Sequence, residues 1–262
     1  DPYLSGKLAA GYVRGIQSVG VSACPKHFAA NNQELRRMAS NSVLDERTLR
    51  ELYLTSFEIA VKEGRPKCIM TSYNRVNGTY ANENHHLLQD ILHGEWGYDG
   101  AVVTDWGGSN DHVEGVREGS TLEMPCPGFG SAKRLMQAVE EGRLPESAVD
   151  ARVDELLELG FTTDAAVQAA PKRFDRDAHH ALARRAAAES VVLLKNEDDL
   201  LPLKPGQSVA LIGDFAQTPR YQGAGSSSVN ATRVDNLKDA AEADDITLAG
   251  FCAGYERSGT PN

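Results

Sequence analysis

Long apolar runs are missing from this chain: no stretch approaches the length needed to cross a bilayer. The opening residues, Asp1-Pro2-Tyr3-Leu4-Ser5-Gly6, do not resemble a secretion signal either. That leans the compartment toward the cytoplasm without fixing it, because the true N-terminus reads as missing. An excess of basic residues is also lacking. The 27 Lys and Arg against 37 Asp and Glu leave a formal charge of -10, which argues against nucleic acid or an anionic membrane as the main partner. Neutral and cationic ligands stay open. Cysteine is scarce: Cys24, Cys68, Cys126 and Cys252 include no Cys-x-x-Cys pairing, and two fall in predicted strands. They read as buried reduced thiols, and no metal site or disulfide framework is expected. What is present, 41% hydrophobic and 24% charged residues over 262 positions, suits one large or two smaller globular domains.

The stretch that organises the chain is Gly100-Ala101-Val102-Val103-Thr104-Asp105-Trp106-Gly107-Gly108. Three apolar residues make a short core strand, and Trp-Gly-Gly is loop chemistry, so Asp105 should stand at a strand's C-terminal tip. In a barrel of alternating strands and helices that edge carries catalytic groups. A helix cap or turn former is the plainer alternative for a lone Asp.

The rest of the pattern is read in order. Asp1-Pro2 starts a helix with Leu4, Leu8, Tyr12, Ile16 and Val19 at helical spacing. Strands are predicted at 21–29, at Cys68-Ile69-Met70, at 101–103 and at 121–125. Asp45 caps a helix ending near Gly64, a short helix carries Leu87, Leu88, Ile91 and Leu92, and further helices lie around 132–141 and 149–157. Alternating helices and strands with crossover-length connections indicate parallel strands covered by helices, an α/β fold. Four strands are half of what a closed eight-stranded barrel needs, so residues 1–160 are expected to be the C-terminal half of a (β/α)8-type barrel and the chain a fragment. Residues 161–177, with Thr162-Thr163 and Pro171, read as a linker. Residues 178–262 then begin an α/β sandwich domain, with strands expected at Val191–Lys195 and Val209–Ile212. Gly223-Ala224-Gly225-Ser226-Ser227-Ser228 follows Gly213 too distantly to be a dinucleotide fingerprint and reads equally well as a substrate-facing loop.

Taken together the motifs resemble glycoside hydrolase family 3, in its β-glucosidase-like branch. They are Lys-His-Phe-Ala-Ala-Asn-Asn-Gln-Glu at 26–34, Met-Thr-Ser-Tyr-Asn at 70–74, Val-Val-Thr-Asp-Trp-Gly at 102–107, Leu-Glu-Met-Pro at 122–125 and Val-Val-Leu-Leu-Lys-Asn at 191–196. The resemblance implies a partial TIM-type (β/α) barrel followed by the start of an α/β/α sandwich domain. It makes Asp105 the nucleophile, Lys26, His27 and Arg37 holders of sugar hydroxyls, Met70 and Tyr73 lining of the sugar pocket, and Trp106 an aromatic wall. Ser226 would be a contact lent by the second domain, and the acid/base Glu would lie outside this chain. A nucleophilic Asp attacks only when ionised, so the donors expected around it are Lys26, His27 and Arg37. Lys26-His27, Met70-Tyr73, Asp105-Trp106 and Glu123 all fall at the ends of successive predicted strands, hence on one rim.

Two departures from the family pattern stand out. Thr121 replaces the Asp usual before Leu-Glu-Met-Pro, which puts any pairing made by that Asp in doubt. The Pro-Gly-His-Gly loop of the N-acetylglucosaminidase branch is absent, which favours gluco- or xylo-configured substrates. The function expected from the resemblance is a retaining exo-β-glycosidase working through a covalent glycosyl-Asp intermediate on a small carbohydrate or glycoside, with no cofactor, and inactive as this fragment. Two alternatives compete: a Schiff-base lyase using Lys26, and a non-catalytic carbohydrate-binding remnant.

Overall fold

A computed structural model describes residues 1–170 and 173–255. They divide into two compact units, Asp1–Phe174 and a second that begins at Asp175. No helix among the described residues is long and apolar enough to cross a membrane.

The first unit opens with α1, Pro2–Gln17, whose N-cap Asp1 accepts a hydrogen bond from Leu4 N. Its buried residues are Gly6, Ala10 and Val13, whereas Leu4, Leu8 and Tyr12 are exposed, so the expected apolar stripe is not the packed face. The reason is close approach. A Cβ on Gly6 would come within 2.8 Å of Ile59, and one on Gly64 within 3.1 Å of Ala10. Small residues let α1 lie against α2, the helical run over 46–64, and larger side chains are turned outward. Asp45 caps α2, accepting from Thr48 N at 2.7 Å.

A small three-stranded sheet joins β1 (Asn41–Ser42), β3 (Arg75–Val76) and β4 (Thr79–Tyr80). The central pair is β2 (Cys68–Met70) and β5 (Ala101–Val103), parallel, with Ile69 opposite Val102. Between them in sequence runs α3, His86–Glu95, with Leu87, Leu88, Ile91 and Leu92 buried as the spacing predicts. These leucines meet Ile69, Val102 and Phe28 in the core, where Phe28 stacks edge-on against Phe57 and Trp96. Each such side chain contributes about 1.5–3 kcal/mol by leaving water.

The flanking strands expected at 21–29 and 121–125 are reduced to single bridges, Phe28 to Thr71 and Val103 to Leu122, both parallel. Pro25 has no N–H to add to the first ladder. In the second, the Thr121 hydroxyl takes the Val102 N–H at 2.9 Å, the place a backbone carbonyl would fill. The four segments still lie in the order 28, β2, β5, 122.

Three helices complete the unit: α4 (His112–Glu118), α5 (Phe129–Glu140) and α6 (Glu146–Ala169). Residues 161–169, read from the sequence as linker, are helical. Thr162 and Thr163 donate to the carbonyls of Glu158 and Leu159, which satisfies their hydroxyls inside the helix. Pro171, the other linker signal, lies outside the described residues.

The second unit holds α7 (Arg176–Ser190), β6 (Ser208–Ile212), α8 (Leu237–Ala243) and β7 (Thr247–Cys252), with β6 and β7 parallel. Residues 191–195, expected as a strand, join no strand pair among the described residues, and Val191, Val192, Leu193 and Leu194 are exposed. Among the described residues β6 pairs with β7 only, so nothing ladders with that run.

Candidate functional site

Asp105 stands two residues beyond β5, with its side chain 13% exposed. Its Oδ1 accepts the Trp106 N–H at 2.8 Å, and its Oδ2 lies 3.2 Å from His27 Nε2. His27 is delivered by the extended segment beside β2, which hydrogen-bonds through Pro25 O to Met70 N and from Phe28 N to Met70 O. Burial holds the His27 imidazole below its ordinary value; the Asp105 charge opposes this, and Lys26 and Arg37 reinforce it. With the charged form disfavoured, the contact is a close approach of a polar ring nitrogen to the carboxylate and not a full ion pair.

Tyr73, just past β2, is buried and donates its hydroxyl to the Trp106 carbonyl at 2.8 Å. Burial, and next the Asp105 charge, push its phenol above the usual range. The Arg37 guanidinium sits 4.8 Å from the Tyr73 ring centre and pairs with Glu34 at 2.8 Å. His27, Tyr73, Asp105 and Arg37 thus come together, and Lys26, exposed, is close enough to act on His27 electrostatically. Met70 ends β2 opposite Val103, half-buried. The Trp106 side chain is 54% exposed, and here it is the backbone of Trp106 that serves the site. Ser226 belongs to the second unit, exposed in the short turn Gly225–Ser227.

The loop after Asp105 is fixed by glycine and by backbone bonds. Gly107 adopts φ +76° and donates to the Met124 carbonyl, and Gly108 donates to the Asp105 carbonyl, both at 2.8 Å. Glu123, on the same rim in the sequence reading, is engaged elsewhere: its Oε2 accepts from Ser131 Oγ at 2.6 Å and faces His112 Nδ1 at 3.5 Å. Glu34 is held by Arg37.

Sequence reasoning missed the residues that brace these groups. Ser72 Oγ and Asn74 Nδ2 donate to the Ala29 carbonyl, fastening the loop that follows His27. Their signal was the period-two alternation of polar Ser72 and Asn74 about Tyr73. Glu83 Oε1 accepts from Asn110 N and Asp111 N, anchoring the far end of the Asp105 loop, and burial pushes its carboxyl up. Thr121 keeps a partner despite the departure noted above: it donates to Glu155 Oε2 at 2.5 Å, and Glu155 pairs with Arg152. Among the described residues no group of three or more His, Cys, Asp or Glu could hold a metal ion. Chemically, a partly buried carboxylate beside a neutral imidazole and a phenol can attack an electrophilic carbon or bind hydroxyls from one side.

Comparison with known proteins adds the following. The family model for the glycosyl hydrolase family 3 N terminal domain matches residues 1–159, and that for the family's C-terminal domain matches residues 191–252. Thermostable beta-glucosidase B of Acetivibrio thermocellus is 52% identical over 237 residues, 90% of this chain and 31% of that protein. An exo-alpha-(1->6)-L-arabinopyranosidase of Bifidobacterium longum is 44% identical over 248 residues, 91% of this chain and 32% of its own length. Among solved structures, a Bifidobacterium adolescentis GH3 beta-glucosidase superposes with TM-score 0.91 at 41% identity, covering 100% of this chain and 38% of that one. Beta-glucosidase 3B of Thermotoga neapolitana, in complex with alpha-D-glucose, gives 0.87 at 35% identity, covering 95% and 36%. The chain therefore spans about a third of the length of the relatives it matches. By this likeness the first unit is part of a TIM-type barrel and the second part of an α/β sandwich.

Proposed function

The chain belongs to glycosyl hydrolase family 3, and we propose that it carries the nucleophile, Asp105, of a retaining exo-β-glycosidase. The observation that carries this reading is the position of Asp105 at the tip of a central parallel strand, its Oδ2 held 3.2 Å from His27 Nε2. Asp105 attacks the anomeric carbon, the glycosidic bond breaks, and the departing oxygen takes a proton from a second carboxyl group about 5 Å away. Water then cleaves the glycosyl-Asp105 ester with that second group as base. By the family resemblance the proton donor is a Glu in the portion of the relatives' length that this chain does not span, while Glu123 and Glu34 are tied to Ser131 and Arg37. The chain alone therefore does not turn over glycosides with poor leaving groups.

Lys26, His27 and Arg37 bind the hydroxyls of the terminal sugar, Met70 and Tyr73 line its pocket, and Trp106 walls it. The substrate is a small glycoside with a gluco- or xylo-configured terminal residue. The relatives' names divide between β-glucosides and α-L-arabinopyranosides. Both carry an equatorial leaving group on a pyranose ring, so one attack geometry serves both. Lys26 is exposed, so a Schiff-base lyase would have no desolvated amine to start from. The test is stereochemical: in a protein of the relatives' length carrying these residues, NMR of the first sugar released from an aryl β-glucoside shows the β-anomer. The α-anomer would mean inversion and no covalent Asp105 ester. Sugar binding with no hydrolysis at all would favour a non-catalytic binding protein.

A further inference from the structure

We infer that Cys24 and Cys68 form a covalent modification site, closing to a reversible cross-strand disulfide on reaction with a small disulfide such as oxidised glutathione. The proposal stands on register. Cys68 N donates to the Ala23 carbonyl at 3.2 Å, and Met70 N donates to the Pro25 carbonyl at 3.1 Å. In parallel pairing this sets Cys24 directly opposite Cys68, with both side chains on the same face of neighbouring extended segments. Neighbouring strands lie about 4.8 Å apart, within the Cα separation of about 4.4–6.8 Å that a disulfide spans. Both thiols are free and half-buried, and the two share a hydrogen bond. Neither takes part in the proposed glycoside chemistry, which lies at the other end of the same two segments, at His27 and Tyr73.

The two sulfurs are not equivalent. The hydrogen bond from Cys24 pulls the Cys68 thiol below its ordinary value, assisted by Ser22 and opposed by burial. The same shared bond, with burial, pushes Cys24 up. Cys68 is therefore the attacking thiol and Cys24 the resolving one. Ser22, which acts on the Cys68 thiol, also lines an open cavity of about 250 Å³ together with Gln17, Val21, Lys67, Thr162 and Thr163.

The steps balance as thiol–disulfide exchange. Cys68 thiolate attacks one sulfur of the reagent, the S–S bond breaks, and one thiolate leaves, giving a mixed disulfide on Cys68. Cys24 then loses its proton and attacks the Cys68 sulfur, expelling the second thiolate. The reagent is reduced to two thiols while the two cysteines are oxidised to one disulfide.

The experiment treats the folded chain with oxidised glutathione, blocks residual thiols with N-ethylmaleimide, digests with trypsin without reduction and maps the linked peptides by mass spectrometry. The expected product joins residues 15–26 to residues 68–75, two hydrogens lighter than their sum, and dithiothreitol abolishes it. Cys24→Ser should leave a stable glutathione adduct on Cys68. Cys68→Ser should leave Cys24 blocked by maleimide, with at least tenfold less glutathione. Glutathione on Cys126 or Cys252 with Cys24 and Cys68 both maleimide-blocked would overturn the proposal. So would separate, unlinked adducts on Cys24 and Cys68, or an equal yield of the linked product from chain denatured in urea.

Discussion

His27 Nε2 lies 3.2 Å from Asp105 Oδ2, joining a segment that precedes α2 to the loop that follows β5. The imidazole nitrogen faces one carboxylate oxygen while Trp106 N holds the other. His27→Ala removes the donor on one side only. In a glycosidase of the relatives' length, kcat/KM should fall at least tenfold, since a hydrogen bond that tightens onto the charged carboxylate when substrate binds contributes about 1.5–3 kcal/mol. Steady-state kinetics on an aryl β-glucoside check this, and unchanged kcat/KM would detach His27 from the reacting carboxylate.

Lys26 and Arg37 pose a sharper separation of stability from function. Lys26 is exposed, and among the described residues Arg37 pairs with solvent-facing Glu34 while resting on the Tyr73 ring. Surface pairs of this kind contribute about 0–1 kcal/mol to folding. Lys26→Ala and Arg37→Ala should therefore melt close to the parent yet lower kcat/KM about tenfold or more, because the contacts proposed for them with sugar hydroxyls are charge-assisted. A lowered melting temperature with unaltered kinetics would reverse the assignment.

The histidines should titrate in opposite directions. Burial lowers His27, so its share of stability is present above about pH 6.5 and is lost as pH falls through its folded value. His86 is raised, first by its hydrogen bond to Asp90 and further by Glu46, so its share is present below about pH 6.5 and is lost as pH rises through its folded value. NMR titration of the ring protons should place His27 below and His86 above the ordinary imidazole value. The reverse order would contradict the burial of His27 beside Asp105.

Thr121 bridges the strand that carries Asp105 to α6. Its hydroxyl accepts from Val102 N and donates to Glu155. Thr121→Val keeps the shape and leaves the fully buried Val102 N–H unpaired, which costs about 1–3 kcal/mol. Urea denaturation should show that loss for Val and little change for Thr121→Ser. Equal stability of all three forms would mean that water or a backbone shift replaces the hydroxyl.

Much of this was legible in the chain. Asp105 at a strand tip followed from three apolar residues running into Trp-Gly-Gly, because burial and loop chemistry are local. The leucines of α3 followed from helical spacing for the same reason. What failed was non-local. The stripe Leu4, Leu8, Tyr12 has the right period, yet α1 packs through Gly6 and Ala10 because α2 comes too close for larger side chains. The strand expected at 121–125 gives way to a bridge because a side chain, Thr121, takes the backbone donor. Val191–Lys195 has strand propensity but no partner among the described residues. β7 was missed because Gly250 interrupts its alternation and its pairing with β6 supplies what propensity lacks. Ser72 and Asn74, which brace the loop after His27, could be recognised only once that loop was seen beside them.

The central claim is that Asp105 forms the covalent bond, and one measurement reaches it directly. A 2-deoxy-2-fluoro glycoside with a good leaving group destabilises the oxocarbenium-like transition state while needing little protonation to depart, so the glycosyl ester accumulates. Peptide mapping by mass spectrometry of the inactivated protein, at the relatives' length, should find one fluoroglycosyl group per chain on Asp105 and none in Asp105→Ala. A stoichiometric label on Glu123 or Glu34, with Asp105 unmodified, would contradict the account.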